Sequence, residues 1–128
     1  MIIINNKKYN EYSIKVSWGE FSVSHCGKRR KGIAPFISFN IDNNKFVGLE
    51  FTFSDEMFKQ MKENNKLNIK EYISDILYED ERNWISIINN DYNCDITRID
   101  EKNFKINFYI KAKENISINS RITLLQML

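Results

Sequence analysis

A run of four adjacent cations is the feature of this sequence with the clearest potential for chemistry. The run consists of Lys28, Arg29, Arg30 and Lys31. Gly27 and Gly32 bracket it, and glycine lets a backbone approach an anion closely. Lysine and arginine contact nucleic-acid phosphates with an affinity that falls as salt rises. The run predicts a basic loop that binds nucleic acid or another polyanion, and a plain solvated loop is the alternative interpretation.

A second charged cluster is acidic and stands in the middle of the chain. It consists of Asp75, Glu79, Asp80 and Glu81. General acid–base catalysis needs carboxylates that are held in a cleft with shifted pKa values, whereas a run of this kind is usually solvated. Because complementary charge steers association, the cluster is a candidate surface for binding a basic protein partner.

The inventory of nucleophiles and metal ligands is small. His25 and Cys26 are neighbours, so on one strand they lie on opposite faces and cannot form a nucleophilic pair. A contact between His25 and Cys94 across strands stays open, but no third orienting residue accompanies it. Two cysteines and one histidine fall one ligand short of a structural zinc site. We therefore predict no metal and no cofactor, and the balance is against an enzyme.

Composition limits the class of protein. The 128 residues are 42% hydrophobic and 13% aromatic, which predicts a single globular domain over 1–128. No apolar run approaches the roughly 20 residues that a membrane span needs, and the N-terminus lacks the order of a secretory signal. A cytoplasmic protein with no membrane contact is expected. The abundance of Ile, Asn and Lys is typical of AT-rich codons and favours a bacterium or one of its mobile elements.

Charge is segregated along the chain, although the formal net charge is only +2. Residues 1–54 carry 8 basic and 4 acidic side chains, and residues 102–128 carry 5 basic and 1 acidic. Residues 55–101 between them carry 6 basic and 12 acidic side chains. Separate surfaces of this kind would orient a charged partner. The alternative is that different elements use different solubilising charges.

The stretch Leu67–Asp80 predicts the helix around which the fold is organised. Asn68 is placed to cap it, and Glu71 three residues later is placed to complete a capping box. Five apolar residues follow the spacing of one helix face, namely Ile69, Tyr72, Ile73, Ile76 and Leu77. A shorter helix from Ser54 to Asn64 is predicted before it.

Most of the remaining chain alternates with a period of two, which predicts strands. A hairpin turn is predicted at Gly19-Glu20, because Gly suits the first central position of a type II′ turn. The longest alternation runs over 104–112. We predict an α+β fold that is mainly antiparallel β. It has about eight strands in a curved sheet or small sandwich, and a segment of one or two helices inserted mid-chain packs on one face.

Three functions from different classes are consistent with these patterns. The first is a small non-enzymatic protein-binding module, such as an inhibitor or immunity-type protein that blocks a partner through the acidic cluster. The second is a nucleic-acid or polyanion binder that uses residues 28–31. The third is a structural subunit of a phage or mobile element. The apolar C-terminus predicts either burial or a homodimer contact through Leu124, Leu125, Met127 and Leu128.

Overall fold

The computed structural model describes residues 1–25, 28–42, 45–51, 60, 65–78, 85, 90–100 and 102–124, with the backbone alone for 18–25, 28–34 and 42. Within these residues ten strands form two antiparallel sheets. The strands are β1 (Ile2–Ile4), β2 (Lys7–Tyr9), β3 (Ser13–His25), β4 (Lys28–Asp42), β5 (Lys45–Phe51), β6 (Lys66–Asn68), β7 (Ile73–Tyr78), β8 (Asp91–Arg98), β9 (Asn103–Lys111) and β10 (Asn115–Thr123). The six-stranded sheet has the order β2-β1-β10-β9-β8-β6, and the four-stranded sheet has the order β3-β4-β5-β7. The prediction of antiparallel β structure is confirmed.

The two sheets share one hydrophobic core. Strict alternation along β9 and β10 buries every second residue, and each strand thereby gives one face to the core. The four-stranded sheet contributes its own inward residues to the same cluster, as a β-sandwich requires. Strands of both sheets contribute the largest fully buried side chains, and Ile69 between β6 and the 3₁₀ turn adds one more. The set is Ile2, Ile37, Phe39, Leu49, Phe51, Ile69, Ile76, Ile96, Phe104 and Ile106. Burying each of them contributes about 1.5–3 kcal/mol.

Tyr12 ties the two sheets together at one end of the core. Its hydroxyl donates to Ser120 Oγ of β10 over 2.8 Å. Its ring meets the Phe39 ring of β4 edge-on, with 6.2 Å between the ring centroids. One side chain thus has its polar end on the six-stranded sheet and its apolar body on the four-stranded sheet.

The predicted α+β class is wrong. The stretch from Leu67 to Tyr78 contains the end of β6, a single 3₁₀ turn over Lys70–Tyr72 and then β7. In the described part of the chain, no helical segment packs on a face of either sheet. The predicted helix over 54–64 lies outside the described residues, apart from Gln60.

The helical spacing in this stretch has two local causes. Tyr72 N–H donates to the Ile69 carbonyl over 3.0 Å, so the 3₁₀ turn sets a repeat of three there. The register then shifts in β7. Glu50 of β5 pairs with Asp75, and the next residue of β5 pairs with Ile73, so Ser74 is left unpaired as a bulge. Ile73 and Ile76 therefore both reach the core at a spacing of three.

Asn68 does organise the backbone as a cap would, but for one turn only. Its side-chain oxygen accepts a hydrogen bond from Lys70 N–H over 3.1 Å, and the geometry is that of an Asx turn. Ile69 N–H next to it donates to the Cys94 carbonyl, which holds the turn against β8. The stretch that was predicted as a helix is thus the connection that carries the chain from the six-stranded sheet to the four-stranded sheet.

Among the described residues, the β3–β4 hairpin extends beyond the strands that pair with it. Its strands pair continuously as far as His25 and Lys28. Among the described residues, β5 pairs with β4 only from Phe36 onward. Residues 18–25 and 28–35 therefore form a two-stranded ribbon, called the arm below, which is roughly 25 Å long at the usual rise per residue.

The predicted turn at Gly19-Glu20 is wrong, because both residues lie within β3. They pair with Ala34 and Ile33 of β4, and the register passes through them without a shift. The residues before and after this position thus belong to one continuous strand.

Over the described ranges, the structure contains no helical segment with the length and apolar character that crossing a membrane requires.

Candidate nucleic-acid interface

The four cations of the basic run lie on the arm. They were predicted to form a loop, whereas they are the first four residues of β4. Lys28 pairs with His25 and Lys31 pairs with Ser22, so the run lies at the end of the arm that is farthest from the four-stranded sheet. The backbone of the run is thus fixed by a strand partner rather than by a loop.

Pro35 lies where the arm leaves the sheet. It pairs with Trp18 of β3, and the next residue, Phe36, is the first residue of β4 that also pairs with β5. Proline lacks an N–H and cannot donate to a sheet ladder, which confines it to edges and strand ends. A proline at this boundary is consistent with the absence of a third described strand beyond it.

The arm has a strong excess of positive charge. Its residues include the four cations of the run and a single carboxylate, Glu20. The four cations are consecutive residues of one strand, so their charges are concentrated at one end of the arm. Like charges this close repel one another in the free protein, and a bound polyanion would remove that repulsion.

The acidic cluster is not assembled among the described residues. Asp75 lies half-buried in β7, directly opposite Glu50 of β5. Ser74 Oγ donates to Glu50 Oε1 over 3.1 Å. Glu79, Asp80 and Glu81 lie outside the described residues, and the acidic surface stays a prediction.

Cys94 is a core residue. It is 1% exposed in the centre of β8. Burial raises the pKa of its thiol, and the neighbouring Asp95 carboxylate raises it further, so the nucleophilic thiolate is disfavoured. The strands that pair with β8 are β6 and β9, and neither carries His25. Cys26 lies outside the described residues.

No metal centre is evident in the described part of the chain, where no group of three or more His, Cys, Asp or Glu side chains is placed to hold an ion.

The structure describes only the first residue of the apolar C-terminus, Leu124. Leu124 is 3% exposed and belongs to the core, which agrees with the burial alternative at that residue. Residues 125–128 lie outside the described residues, so the homodimer stays a prediction.

A polar surface that the sequence did not single out lies on the outer face of the six-stranded sheet. Tyr109 lies on this face in β9 and is 38% exposed. Its hydroxyl donates to Asp91 Oδ1 over 3.3 Å. The charge of Asp91 is the largest cause of the raised pKa of Tyr109, followed by desolvation and by that hydrogen bond. Alternating polar residues were the available signal, but only the strand register shows which of them are adjacent.

Comparisons with known protein families, with characterised proteins and with solved structures returned no match. The most distinctive described element of this chain is the arm, because the sequence singles out the basic run and the structure places that run on a strand which, among the described residues, continues past the sheet.

Proposed function

We propose that this protein binds nucleic acid and that the arm is the element that contacts it. The observation that carries the proposal is four consecutive cations on one strand of a ribbon that, in the described part of the chain, has two strands and extends past its sheet. A two-stranded ribbon fits the major groove of duplex DNA, which runs between two phosphate backbones. Four consecutive cations on such a ribbon would contact the phosphates of these backbones.

Phosphate contacts of this kind supply affinity without sequence readout. The arm pairs its cations with Ser22, Val23, Ser24 and His25, and this partner strand offers few groups that would read bases in a bidentate manner. We therefore infer binding that depends strongly on salt. The cytoplasmic location predicted from the sequence would give the arm access to nucleic acid.

Removing the four cations tests the proposal. The variant replaces Lys28, Arg29, Arg30 and Lys31 by glutamine. Binding of a labelled duplex of about 20 base pairs is measured by fluorescence anisotropy across 50–200 mM salt. We expect the affinity at 0.1 M salt to fall roughly tenfold or more, and the slope of log K against log salt to decrease by about 3–4, since each phosphate contact contributes about 0.9.

The control variant removes the same charge elsewhere. It replaces Lys7, Lys8, Lys15 and Lys45 by glutamine. Because these cations lie outside the arm, the slope should stay within about 1 of the unmodified protein. Equal slopes for the arm variant and the unmodified protein would overturn the proposal, provided that both retain the same circular dichroism spectrum and melting temperature.

A protein-binding module is the second candidate, and one observation favours it. In the described part of the chain, β3 is an edge strand of 13 residues that pairs only with β4. An open strand edge accepts an additional strand from a partner, with main-chain hydrogen bonds that provide affinity. An inhibitor or immunity-type role would use this edge. A phage or mobile-element subunit stays a prediction without a supporting contact.

One affinity capture separates the two candidates. Tagged protein is recovered from the native host with and without nuclease treatment. If β3 receives a protein strand, a stoichiometric partner survives nuclease, and Val16→Pro weakens its recovery roughly tenfold or more because proline disrupts an edge ladder. Loss of all partners after nuclease would contradict protein binding and agree with the arm proposal.

A further inference from the structure

The outward residues of strands β9 and β10 include three cations and no carboxylate, and Asp91 of β8 lies opposite one of these cations, Lys111. Because β9 and β10 alternate, their outward positions can be read directly from burial. The nine outward residues other than Tyr109 are polar, and three of them are cations: Lys105, Lys111 and Arg121. The excess of basic residues over 102–128 is therefore concentrated on one surface. It is not merely distributed among separate elements.

Two of these cations directly face each other. Arg121 of β10 and Lys105 of β9 are register partners, which places their Cβ atoms about 5 Å apart. Both side chains are exposed, and no described carboxylate pairs with either. Like charges that are directly opposite destabilise a sheet, and breaches of local rules concentrate at functional sites.

The rest of this surface surrounds the cation pair with neutral polar groups. Asn107 and Asn119 are the next pair along the two strands, and Thr97 of β8 lies beside Lys105. Asp95 is the nearest acidic position in the register, opposite Asn107. Its carboxylate is already engaged, because it accepts from Asn68 Nδ2 over 3.1 Å and lies 4.0 Å from the Lys66 ammonium.

Tyr109 supplies an aromatic ring two positions beyond Asn107 on the same face. Its hydrogen bond to Asp91 fixes the phenol end of the ring. Exposed aromatic rings on a sheet stack unpaired bases, and nearby cations hold the backbone of the same strand. Duplex bases are stacked inside the helix and cannot use such a ring.

We propose that this outer face binds single-stranded nucleic acid. Tyr109 stacks one base, the Lys105–Arg121 pair contacts backbone phosphates, and Asn107 and Asn119 contact base edges between them. The inference rests on the proposed nucleic-acid function and adds a second surface with a different strand preference. The arm and this face belong to different sheets and can be altered separately.

The test uses labelled oligothymidylate and a duplex of matched length. Tyr109→Thr keeps a strand-forming residue but removes the ring, and Tyr109→Phe keeps the ring. We expect Tyr109→Thr to weaken single-strand binding roughly 5- to 150-fold, as for the loss of one stacked base. Tyr109→Phe should stay within about twofold of the unmodified protein, and duplex binding should not change with either substitution.

The phosphate contacts are tested with Lys105→Gln combined with Arg121→Gln. The salt slope for the single strand should decrease by about 1.4, because each single-strand phosphate contact contributes about 0.7. The control, Lys15→Gln with Lys45→Gln, removes two cations from the other sheet and should leave that slope unchanged.

The outcomes distinguish this inference from the proposed function. Single-strand binding that is unaffected by Tyr109→Thr and by the cation-pair variant overturns the outer face, and an arm variant that still loses duplex binding leaves the arm proposal intact. Weaker single-strand binding in the face variants supports the outer face even if the arm variant behaves normally. If the unmodified protein binds neither probe, both proposals fail.

Discussion

Replacing Phe39 by alanine is expected to lower the free energy of unfolding by about 3–5 kcal/mol, the cost of leaving a cavity where a large buried ring was removed. Phe39 is fully buried on β4, and its ring supports the Tyr12 ring that reaches across to Ser120. A domain of this size is stable by only about 5–15 kcal/mol, so one substitution removes a large fraction of its stability. Urea denaturation followed by circular dichroism measures the change.

The matched control is Ile14, which is the register partner of Phe39 on β3. It is 37% exposed, whereas Phe39 is fully buried. Ile14→Ala should therefore cost less, about 1–2 kcal/mol, because the side chain that is lost is smaller and already partly in contact with water. Equal losses in the free energy of unfolding for Phe39→Ala and Ile14→Ala would contradict the burial of Phe39 in a core between the two sheets.

The β9–β10 hairpin could be predicted from the sequence because every physical constraint on it agrees. Residues such as Phe104 and Ile122 must face the core, and the residues between them must face water, so a period of two is enforced along the whole length. The short turn between β9 and β10 then allows only one pairing register for the two strands. The prediction for 104–112 differs from the observed strand by only one residue at each end.

The error at Leu67–Asp80 arose because two irregular features imitate a helix. A 3₁₀ turn and a β-bulge each place core residues three apart, and together they give five apolar residues the spacing of a helix face. Asn68 added a cap signal that is real but serves a single turn. Local patterns cannot separate these cases, because the deciding contact is the long-range pairing of β7 with β5.

The arm was missed for a different reason. Apolar residues occupy even positions up to Trp18 and odd positions at Phe21 and Val23, and this change of phase predicts a turn. The backbone keeps one register throughout, so the change of phase occurs within a continuous strand. A core imposes alternation only where a strand packs on it, and in the described structure β5 no longer accompanies β4 there.

The candidate sites show the same limit. Composition alone identified the cations at residues 28–31, but only strand pairing placed them on a ribbon. The pair formed by Lys105 and Arg121 has no sequence signature, since 16 positions separate them and each looks like an ordinary solvated residue. Surfaces that are assembled from neighbouring strands become visible only when the register is known.

Gly48→Val is expected to destabilise the protein by about 1–3 kcal/mol, the usual cost of overpacking. Gly48 is buried in β5 on the outer face of the four-stranded sheet. A Cβ atom there would lie 2.6 Å from Phe36 Cζ and 3.3 Å from Phe46 Cε2. The Phe36 ring thus occupies the space that a side chain would need, and a branched side chain must displace it.

A double-mutant cycle isolates this contact. Phe36→Ala removes the obstructing ring, so Gly48→Val should cost less in that background, with a coupling free energy of about 1 kcal/mol or more. Ser117→Val introduces the same side chain at an exposed strand position and should change stability by less than about 0.5 kcal/mol. Independent effects of Gly48→Val and Phe36→Ala in urea denaturation would show that the ring does not occupy this space.

The same contact bears on the arm. Phe36 is the first residue of β4 that pairs with both neighbouring strands, and Pro35 before it is the last residue of the arm. A ring that packs on the backbone at Gly48 fixes the point at which the arm leaves the sheet. Gly48→Val should therefore weaken duplex binding although it changes no charge, and Phe36→Ala added to it should not restore that binding even where it restores stability. Unchanged duplex affinity in Gly48→Val would mean that the cations bind phosphate whether or not the arm has a fixed orientation relative to the sheet.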